Sequence, residues 1–462
     1  LDDESDSHVA LNVYASICRL PLALSQYLRK YTYTLVAREI SRLTRYADRV
    51  IHLDPLPGDS GLLRDAIDAP AKLVSSTEGV AGALSDDGVD ILLFNGNFNH
   101  STDIQGLLET IQPHLSRRGR VVVALYNWYF AWLYRLADRL GLRHGPPVTT
   151  FITQSDLVQV ARLAGFELVR LRPVAYLPWH FFGIGSLVNA VMPAIPGFRW
   201  LSFVAVAVLR PMVDAGTKRP SLTVVIPARN ERGNIESALR RLPDFGVLTE
   251  VIFVEGNSTD GTWEEIQKVS AEWDGRRGVR VRAFQQQARG KADAVRLGFA
   301  QASGDLLTIL DADLTMPPER LTRFYDAYCE GAADFVNGTR LVYPMEGEAM
   351  RFLNHLANVF FAKMLSFVLD VAIGDSLCGT KLFSRRDYER FVRWRKDFGE
   401  FDPFGDFELL FPAAVLGTGI IDVPVDYRAR TYGTTNIHRF RDGATLFRMT
   451  MTGLLRIKCG NL

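Results

Sequence analysis

The stretch LLTILDADLTMPPER, residues 306–320, runs from a strongly apolar strand pattern into two carboxylates one residue apart, Asp311 and Asp313. Charge left unpaired beside such a strand is costly. In extended chain, residues two apart project to the same side, so both aspartates offer hard oxygen ligands to one space. That donor set suits Mg²⁺ or Mn²⁺. Such an ion takes only one or two protein carboxylates, at about 2.0–2.1 Å, and shares the rest of its shell with water and substrate phosphate. The cation would also compensate the paired charges. A plainer role is open to the same residues, capping the helix that starts near PPER.

Two more loops follow apolar strands in the same manner. PARNERGN (227–234) closes LTVVIPA, and EGNSTDGT (255–262) closes EVIFV. Open α/β sheets bind their ligands in loops at the C-terminal strand ends. Glu255 and Asp260 can offer carboxylates to a base edge or a ribose hydroxyl. Gly256 and Gly261 allow a tight turn beside a flat ligand.

These loops need a sheet to hold them. LTVVIPA, EVIFVEG, VRVRAFQ and LLTILDAD read as strands, with NIESALRRL, TWEEIQKVSAEW and KADAVRLGFAQA as the helices between them. Earlier in the chain DRVIHLDP, VDILLFNG and GRVVVALYN alternate with helices such as TDIQGLLETIQPHL. Buried strands alternating with helices imply parallel sheets covered on both faces. VDAGTKRPS has linker composition. The expected organisation is therefore an α/β domain over 1–212, a linker at 213–220, a second α/β domain over 221–430 and a tail over 431–462.

A length of 462 residues accommodates two or three such domains. The formal net charge of +1 argues against a global attraction to nucleic acid. Cys18, Cys329, Cys378 and Cys459 lack CxxC spacing, which fits a reducing compartment and neither a disulfide scaffold nor a zinc site. LDDESDSH carries neither the basic nor the apolar region of a signal peptide. The longest apolar stretch, YLPWHFFGIGSLVNAVMPAIPGFRWLSFVAVAVLRP (176–211), is broken by Gly183, Gly185, Pro193 and Pro196. It reads as a hairpin packed on its own domain or dipping into a bilayer surface, not as a spanning helix.

VVIPARNERGNIESAL, VEGNSTDGT, GKADAVRLGFAQASGDLLTILDADLTMPPE and NGTR, in that order, resemble the family 2 glycosyltransferases of the GT-A fold. The likeness is greatest to the dolichyl- or polyprenyl-phosphate hexosyltransferases and covers about residues 221–448. It implies a UDP- or GDP-hexose donor. Pro227, Arg229, Glu231 and Glu255 would line the nucleotide pocket, and Lys291 and Asp293 would sit in the loop that meets the donor. Arg340 would approach the diphosphate, and Asp311 and Asp313 would hold the metal. The family's paired-Asp DDGS loop is EGNS here, so Glu255 keeps one carboxylate and Gly256 lacks the second. GDSLCGTKLFSRRD (374–387) and FGDFELLFPA (404–413) resemble the acceptor-side segments of the same group. Asp406 and Glu408, two apart, cannot share a helix face. Asp406 is the one expected at the reaction centre, with Asp375 the other candidate base, and Cys378 reads as a small packed residue beside Gly379.

The implied reaction is one in-line displacement with inversion at the anomeric carbon. A lipid phosphate acceptor is already anionic and needs no strong base, which leaves Lys381, Arg385 and Arg430 to hold it. A glycan hydroxyl would need Asp406 or Asp375 as base. A catalytically silent two-domain scaffold is the remaining alternative. In the tail, Phe440, Ala444, Phe447, Met451 and Leu454 recur at helical spacing, flanked by Arg439, Arg441, Arg448, Arg456 and Lys458. A basic amphipathic helix of this kind can lie on an anionic membrane or pack on the protein. With the reducing compartment, this points to peripheral attachment at the cytoplasmic membrane face. MRFLNHLANVFFAKMLSFVLD (350–370) is apolar nearly all round, as a buried or a lipid-facing helix would be.

The first domain resembles the later part of a class I S-adenosylmethionine-dependent methyltransferase, with RVIHLDP as its second strand and Asp54 at the ribose. The glycine motif of the family's first strand is missing, since NVYASICRLPLALSQYL contains no glycine. Without it the usual cofactor pose is too crowded. Two readings stand: a degenerate structural or acceptor-recruiting domain, or a working methyltransferase with unusual cofactor contacts. The expected whole is two Rossmann-like α/β domains, methyltransferase-like and then GT-A, ending in a C-terminal amphipathic helix.

Overall fold

The computed structural model describes residues 27–53, 63, 67, 69–85, 88–140, 147–214, 216, 219–344, 352–399, 402–430, 432 and 439–460. The chain forms two compact units, one ending at Pro211 and the other starting at Met212.

The first unit is built on a six-stranded sheet. Its strands are β1 (Arg49–Leu53), β2 (Ala71–Val74), β3 (Asp90–Asn95), β4 (Arg120–Tyr126), β5 (Phe166–Ala175) and β6 (Val204–Pro211). Their order is β2-β1-β3-β4-β6-β5, parallel through β4, with β6 antiparallel to both its neighbours. Every residue of β3 is buried because Leu92 and Phe94 enter one core while Ile91 and Leu93 enter the other. A parallel strand covered on both faces needs such a continuous apolar run. One expectation is corrected here. RVIHL does not stand at second-strand remove from DILLFN, because Val50 pairs directly with Ile91 on one side and Ala71 on the other. It is a central strand, at the point where the chain first steps outward to β2 and then returns to β3. Asp54 lies outside the described residues.

The second unit carries a seven-stranded sheet. It comprises β7 (Leu222–Ala228), β8 (Thr249–Glu255), β9 (Val279–Gln285), β10 (Leu306–Ile309), β11 (Phe335–Thr339), β12 (Lys381–Ser384) and β13 (Ile420–Pro424), in the order β13-β11-β12-β10-β7-β8-β9. The chain leaves β7 for β8 and β9 on one side, then crosses back to set β10 on the other. The C-terminal ends of β7 and β10 therefore flank a topological switch point, where doubly wound sheets open a ligand crevice. β12 runs antiparallel to β10, so it is its first residue, Lys381, that stands at this edge. Gly298 lets the helix Lys291–Gln301 press on β7, since a Cβ there would collide with Val225.

The tail forms a helix, Arg439–Gly453, and a π turn, Leu454–Lys458. Its packed face is not the expected stripe. Leu446, Met449, Thr450, Gly453 and Ile457 are buried, while Ala444 and Phe447 face solvent. Gly453 sits against Phe411 and Val368, and that close approach fixes which side faces inward. The basic flank divides as well. Lys458 is buried and paired with Asp370, and Arg456 lies over the Phe398 ring and donates to its carbonyl, whereas Arg441 and Arg448 remain exposed. The neighbouring helix Phe352–Leu369 buries Phe361, Ala362, Leu365 and Val368 and exposes Leu356 and Phe360. Among the described residues, no helix is long and apolar enough to cross a membrane.

Candidate functional site

Three loops converge at the switch point, after β7, β8 and β10. Each holds one non-glycine residue in the left-handed region: Asn230 (φ 56°), Asn257 (φ 57°) and Leu314 (φ 52°). Asparagine tolerates this conformation, but a leucine is held there only when its surroundings over-determine it, as at functional sites. Leu314 follows Asp313 directly. The turn is tied by the Leu314 N–H to the Asp311 carbonyl (3.1 Å) and by Thr315, whose N–H and hydroxyl both donate to Asp313 Oδ1 (3.1 and 2.9 Å).

Both aspartates face cations. Lys291, the first residue of its helix, places Nζ 2.5 Å from Asp311 Oδ1. Burial works against both charges. Even so, Lys291 is held above its usual pKa by Asp311, Asp406 and Asp313, and Asp311 is held below the carboxylate range by Lys291, Lys381 and Arg340. Arg430 forks between Asp313 Oδ2 (2.6 Å) and Glu231 Oε1 (3.1 Å), and Asn234 donates to the other Glu231 oxygen. Burial raises the Glu231 pKa, against the pull of Asn234 and Arg430. Glu255 ends β8 buried, accepting from the Ser258 N–H at 2.5 Å, while Asp260 is engaged by Thr262, the Arg232 N–H and Tyr432. Pro227 and Arg229 lie at the end of β7, and Asp293 in the first turn of the Lys291 helix.

Gly379 closes this arrangement from the side. A Cβ there would land on Lys291 Nζ and Asp311 Oδ2, the two ends of an ion pair that cannot both move without opening it. Gly379→Ala is expected to lower activity at this site at least about tenfold while costing only about 1–3 kcal/mol of stability, the usual range for overpacking. Turnover and urea unfolding on one preparation check this.

Two expected roles are corrected by burial. Asp375 is fully buried and grips Arg340 with both oxygens, at 2.7 and 2.9 Å, so neither is open to take an acceptor proton. Burial works against the Asp375 charge, but Arg340 holds its pKa down, and the pair leaves Arg340 fixed over the Tyr427 ring at 5.2 Å. Lys381 is also fully buried, with Nζ on Asp406 Oδ1 (2.5 Å) and the Cys378 carbonyl, so it cannot greet an incoming phosphate. Arg385 falls at the wrong end of the sheet. β12 runs away from the site, and the Arg385 N–H bonds the Asp305 carbonyl at the start of β10. Of the three basic residues expected at the acceptor, Arg430 alone reaches the loops of the switch point.

Asp406 and Glu408 diverge. Glu408 is held by Arg296 (2.6 Å) and Arg395 (3.2 Å), while Asp406 turns to Lys381 and the Lys291 cluster. Cys378 is buried, and burial pushes its thiol up to about 11, so it is no nucleophile.

Asp402 is the residue the motifs did not single out. Its carboxylate accepts from the N–H groups of Phe404, Phe407 and Glu408, capping the helix Phe407–Val415 that begins beside Asp406. The available signal was an acidic residue just ahead of an apolar helix start. Burial, then repulsion from Asp406, pushes Asp402 up to about 6. A carboxylate raised from its ordinary ~3.9 stabilises the fold most when protonated, and that contribution is lost as pH rises through about 6. Asp402→Asn removes the ionisation. The variant's stability relative to the parent chain is expected to climb by about 2–3 kcal/mol between pH 4 and pH 7, measured by urea unfolding.

Among the described residues no group of three or more His, Cys, Asp or Glu is arranged to hold a metal. Asp311 and Asp313 nonetheless fit a divalent ion by donor type: they are hard oxygens, matched in this structure by Lys291 and Arg430. In the first unit Asp54 lies outside the described residues.

Residues 223–391 match the glycosyl transferase family 2 model. The dolichyl-phosphate hexose transferase of Haloferax volcanii is 29% identical over 228 residues, 49% of this chain and 90% of that protein. The dolichol-phosphate mannosyltransferase of Pyrococcus furiosus is 29% identical over 234 residues, 49% of this chain and 60% of that one. Among solved structures, glucosyl-3-phosphoglycerate synthase from Mycobacterium tuberculosis aligns with 52% of this chain and 80% of its own, at 20% identity and a TM-score of 0.37. The family match spans the loops after β7, β8 and β10, and the second unit of this chain contains a family 2 glycosyltransferase domain.

Proposed function

We propose that the second unit transfers a hexose from a UDP- or GDP-sugar to a polyprenyl phosphate, with inversion. The observation that carries this is the meeting of Asp311, Asp313, Lys291 and Arg430 at the switch point. An acceptor oxygen forms a bond to the anomeric carbon as the bond from that carbon to the diphosphate breaks, and the electron pair leaves with the nucleoside diphosphate. Lys291 and Arg340, held by Asp311 and Asp375, supply positive charge where the leaving group accumulates negative charge. Asp311 and Asp313 would hold Mg²⁺ or Mn²⁺, which when bound would neutralise diphosphate charge as a Lewis acid.

A phosphate acceptor is favoured over a hydroxyl because the candidate bases are committed. Asp375 is closed by Arg340, and Asp406 gives one oxygen to Lys381. An anionic acceptor needs no proton removed. The names of the two relatives, a dolichyl-phosphate hexose transferase and a dolichol-phosphate mannosyltransferase, support the same class. The exposed face of the tail helix, with Phe447 between Arg441 and Arg448, suits peripheral attachment to a membrane that holds such a lipid, expected at its cytoplasmic side. For the first unit we infer a methyltransferase-like layout serving as a structural domain, on the strength of its parallel strands β2-β1-β3-β4 followed by the antiparallel pair. Incubation with UDP- and GDP-hexoses and Mn²⁺, with and without polyprenyl phosphate, tests the transfer. Nucleotide release together with lipid-linked sugar is expected only in lipid-containing tubes, and equal release without lipid overturns the acceptor assignment.

A further inference from the structure

The apolar stretch 176–211 returns here as surface. It begins as the connection between β5 and β6, and Ala175 and Tyr126 both pair with Val204. The connection and the segment following β4 therefore leave the same end of the first unit's sheet. They are joined: Asn127 Nδ2 donates to the carbonyls of Trp200 (2.8 Å) and Ser202 (2.7 Å), the Tyr129 and Trp200 rings meet edge to face at 6.4 Å, and the Phe130 and Phe203 rings lie 4.3 Å apart.

Both helices of this surface expose large apolar side chains. In Ala131–Arg139, Trp132 is 64% exposed, and Leu136 and Leu140 follow it at helical spacing on the solvent side. In Ile184–Val191, Leu187 is 64% exposed. Just before it Phe182 stands entirely in solvent with φ 51°, a left-handed conformation costly for a bulky side chain. Burial of apolar side chains is the main source of folding free energy, and here it is forgone at Trp132, Phe182 and Leu187 and at the joined rings of Tyr129 and Trp200. Contiguous exposed apolar surface of this kind marks an interaction site.

The charges around it select the partner. From Tyr176 to Met212 the chain has no aspartate or glutamate at all. Exposed Arg135 and Arg139 project from the first helix, and exposed Lys30 adjoins Tyr31, whose hydroxyl meets Ser186 Oγ at 3.2 Å. Tryptophan and tyrosine with aliphatic side chains, rimmed by cations, is the composition that lies at a bilayer interface over anionic headgroups. Helices of nine and eight residues reach only about 12–14 Å, far short of the ~30 Å hydrocarbon core. They can seat in one leaflet's interface but cannot span.

We propose that this face of the first unit is a monotopic docking surface for an anionic lipid bilayer, distinct from the tail helix of the second unit. Flotation of the full chain with vesicles tests it, comparing phosphatidylcholine alone with phosphatidylcholine containing phosphatidylglycerol. The parent chain is expected to float with the anionic vesicles and at least several-fold less with the neutral ones. A triple variant, Trp132→Ser, Phe182→Ser and Leu187→Ser, is expected to lose at least tenfold in vesicle partitioning while keeping its thermal transition, because all three side chains already face solvent. Arg135→Glu with Arg139→Glu gives a second reading that leaves the apolar face intact: binding to anionic vesicles should fall while the weak neutral binding stays. Unchanged flotation of the triple variant overturns the proposal. So does sedimentation showing that the parent chain is a dimer and the triple variant a monomer, which would assign the face to a second copy.

Discussion

Asp311→Ala is expected to reduce hexose transfer by about 10²–10³-fold or more, the loss that follows removal of one preorganised charge-stabilising group. Asp311 serves in two ways at once. It is one of the two carboxylates available to a divalent ion, and it is the counter-ion that fixes Lys291, at 2.5 Å, where the proposed reaction puts the leaving diphosphate. Asp313→Ala should cost transfer as well but disturb the fold less, because Arg430 keeps Glu231 as its other partner. Binding of UDP and GDP with and without Mn²⁺ separates the two functions of Asp311. Loss of the metal's contribution should leave a variant whose nucleotide affinity no longer changes on adding Mn²⁺, whereas loss of Lys291 positioning alone would lower affinity and keep the Mn²⁺ response. Chelation should abolish transfer by the parent chain and add little to the defect of the variant. Full transfer by Asp311→Ala in excess chelator would remove the basis of the proposed chemistry.

The parts of this site that could be read from the sequence are those written in local chain order. A strand's C-terminal end is visible as an apolar run meeting a polar loop, so the loops after β7, β8 and β10 are legible in the sequence. The ladder then brings them together, since β10 and β8 both pair with β7. What could not be read was which way a side chain faces once two distant segments meet. Asp375, Lys381 and Arg340 carry the right chemistry for catalysis and acceptor binding. Only the fold shows that the first two are sealed under Arg340 and Asp406. Arg385 failed for a different reason. The antiparallel direction of β12 is set by tertiary pairing rather than by its sequence, and it sends a residue only four positions after Lys381 to the far end of the sheet. The tail stripe failed because several faces of Arg439–Gly453 carry apolar residues, and close packing at Gly453 chose among them.

The Arg340–Asp375 pair gives the other large effect. Asp375→Ala leaves a guanidinium, almost wholly buried, without its carboxylate, and loss of one member of such a pair is expected to cost about 3–5 kcal/mol. The pair should also make the fold less stable in acid. The Asp375 pKa lies below the ordinary range, so its contribution is complete above about pH 4 and is lost as pH falls through the depressed folded value. Because Asp375 positions Arg340 and touches no acceptor in this reading, Asp375→Asn should weaken donor use and remove the pair's acid-dependent loss of stability, read by urea unfolding across pH. Replacing both members with apolar residues of similar volume, Arg340→Met with Asp375→Leu, separates stability from function. Exchange of a buried ion pair for packed apolar groups is often neutral or stabilising, so the double variant should regain most of the stability lost by Asp375→Ala. Transfer should stay low, because the charge aimed at the diphosphate is gone. Recovery of both together would mean that Arg340 serves only the fold.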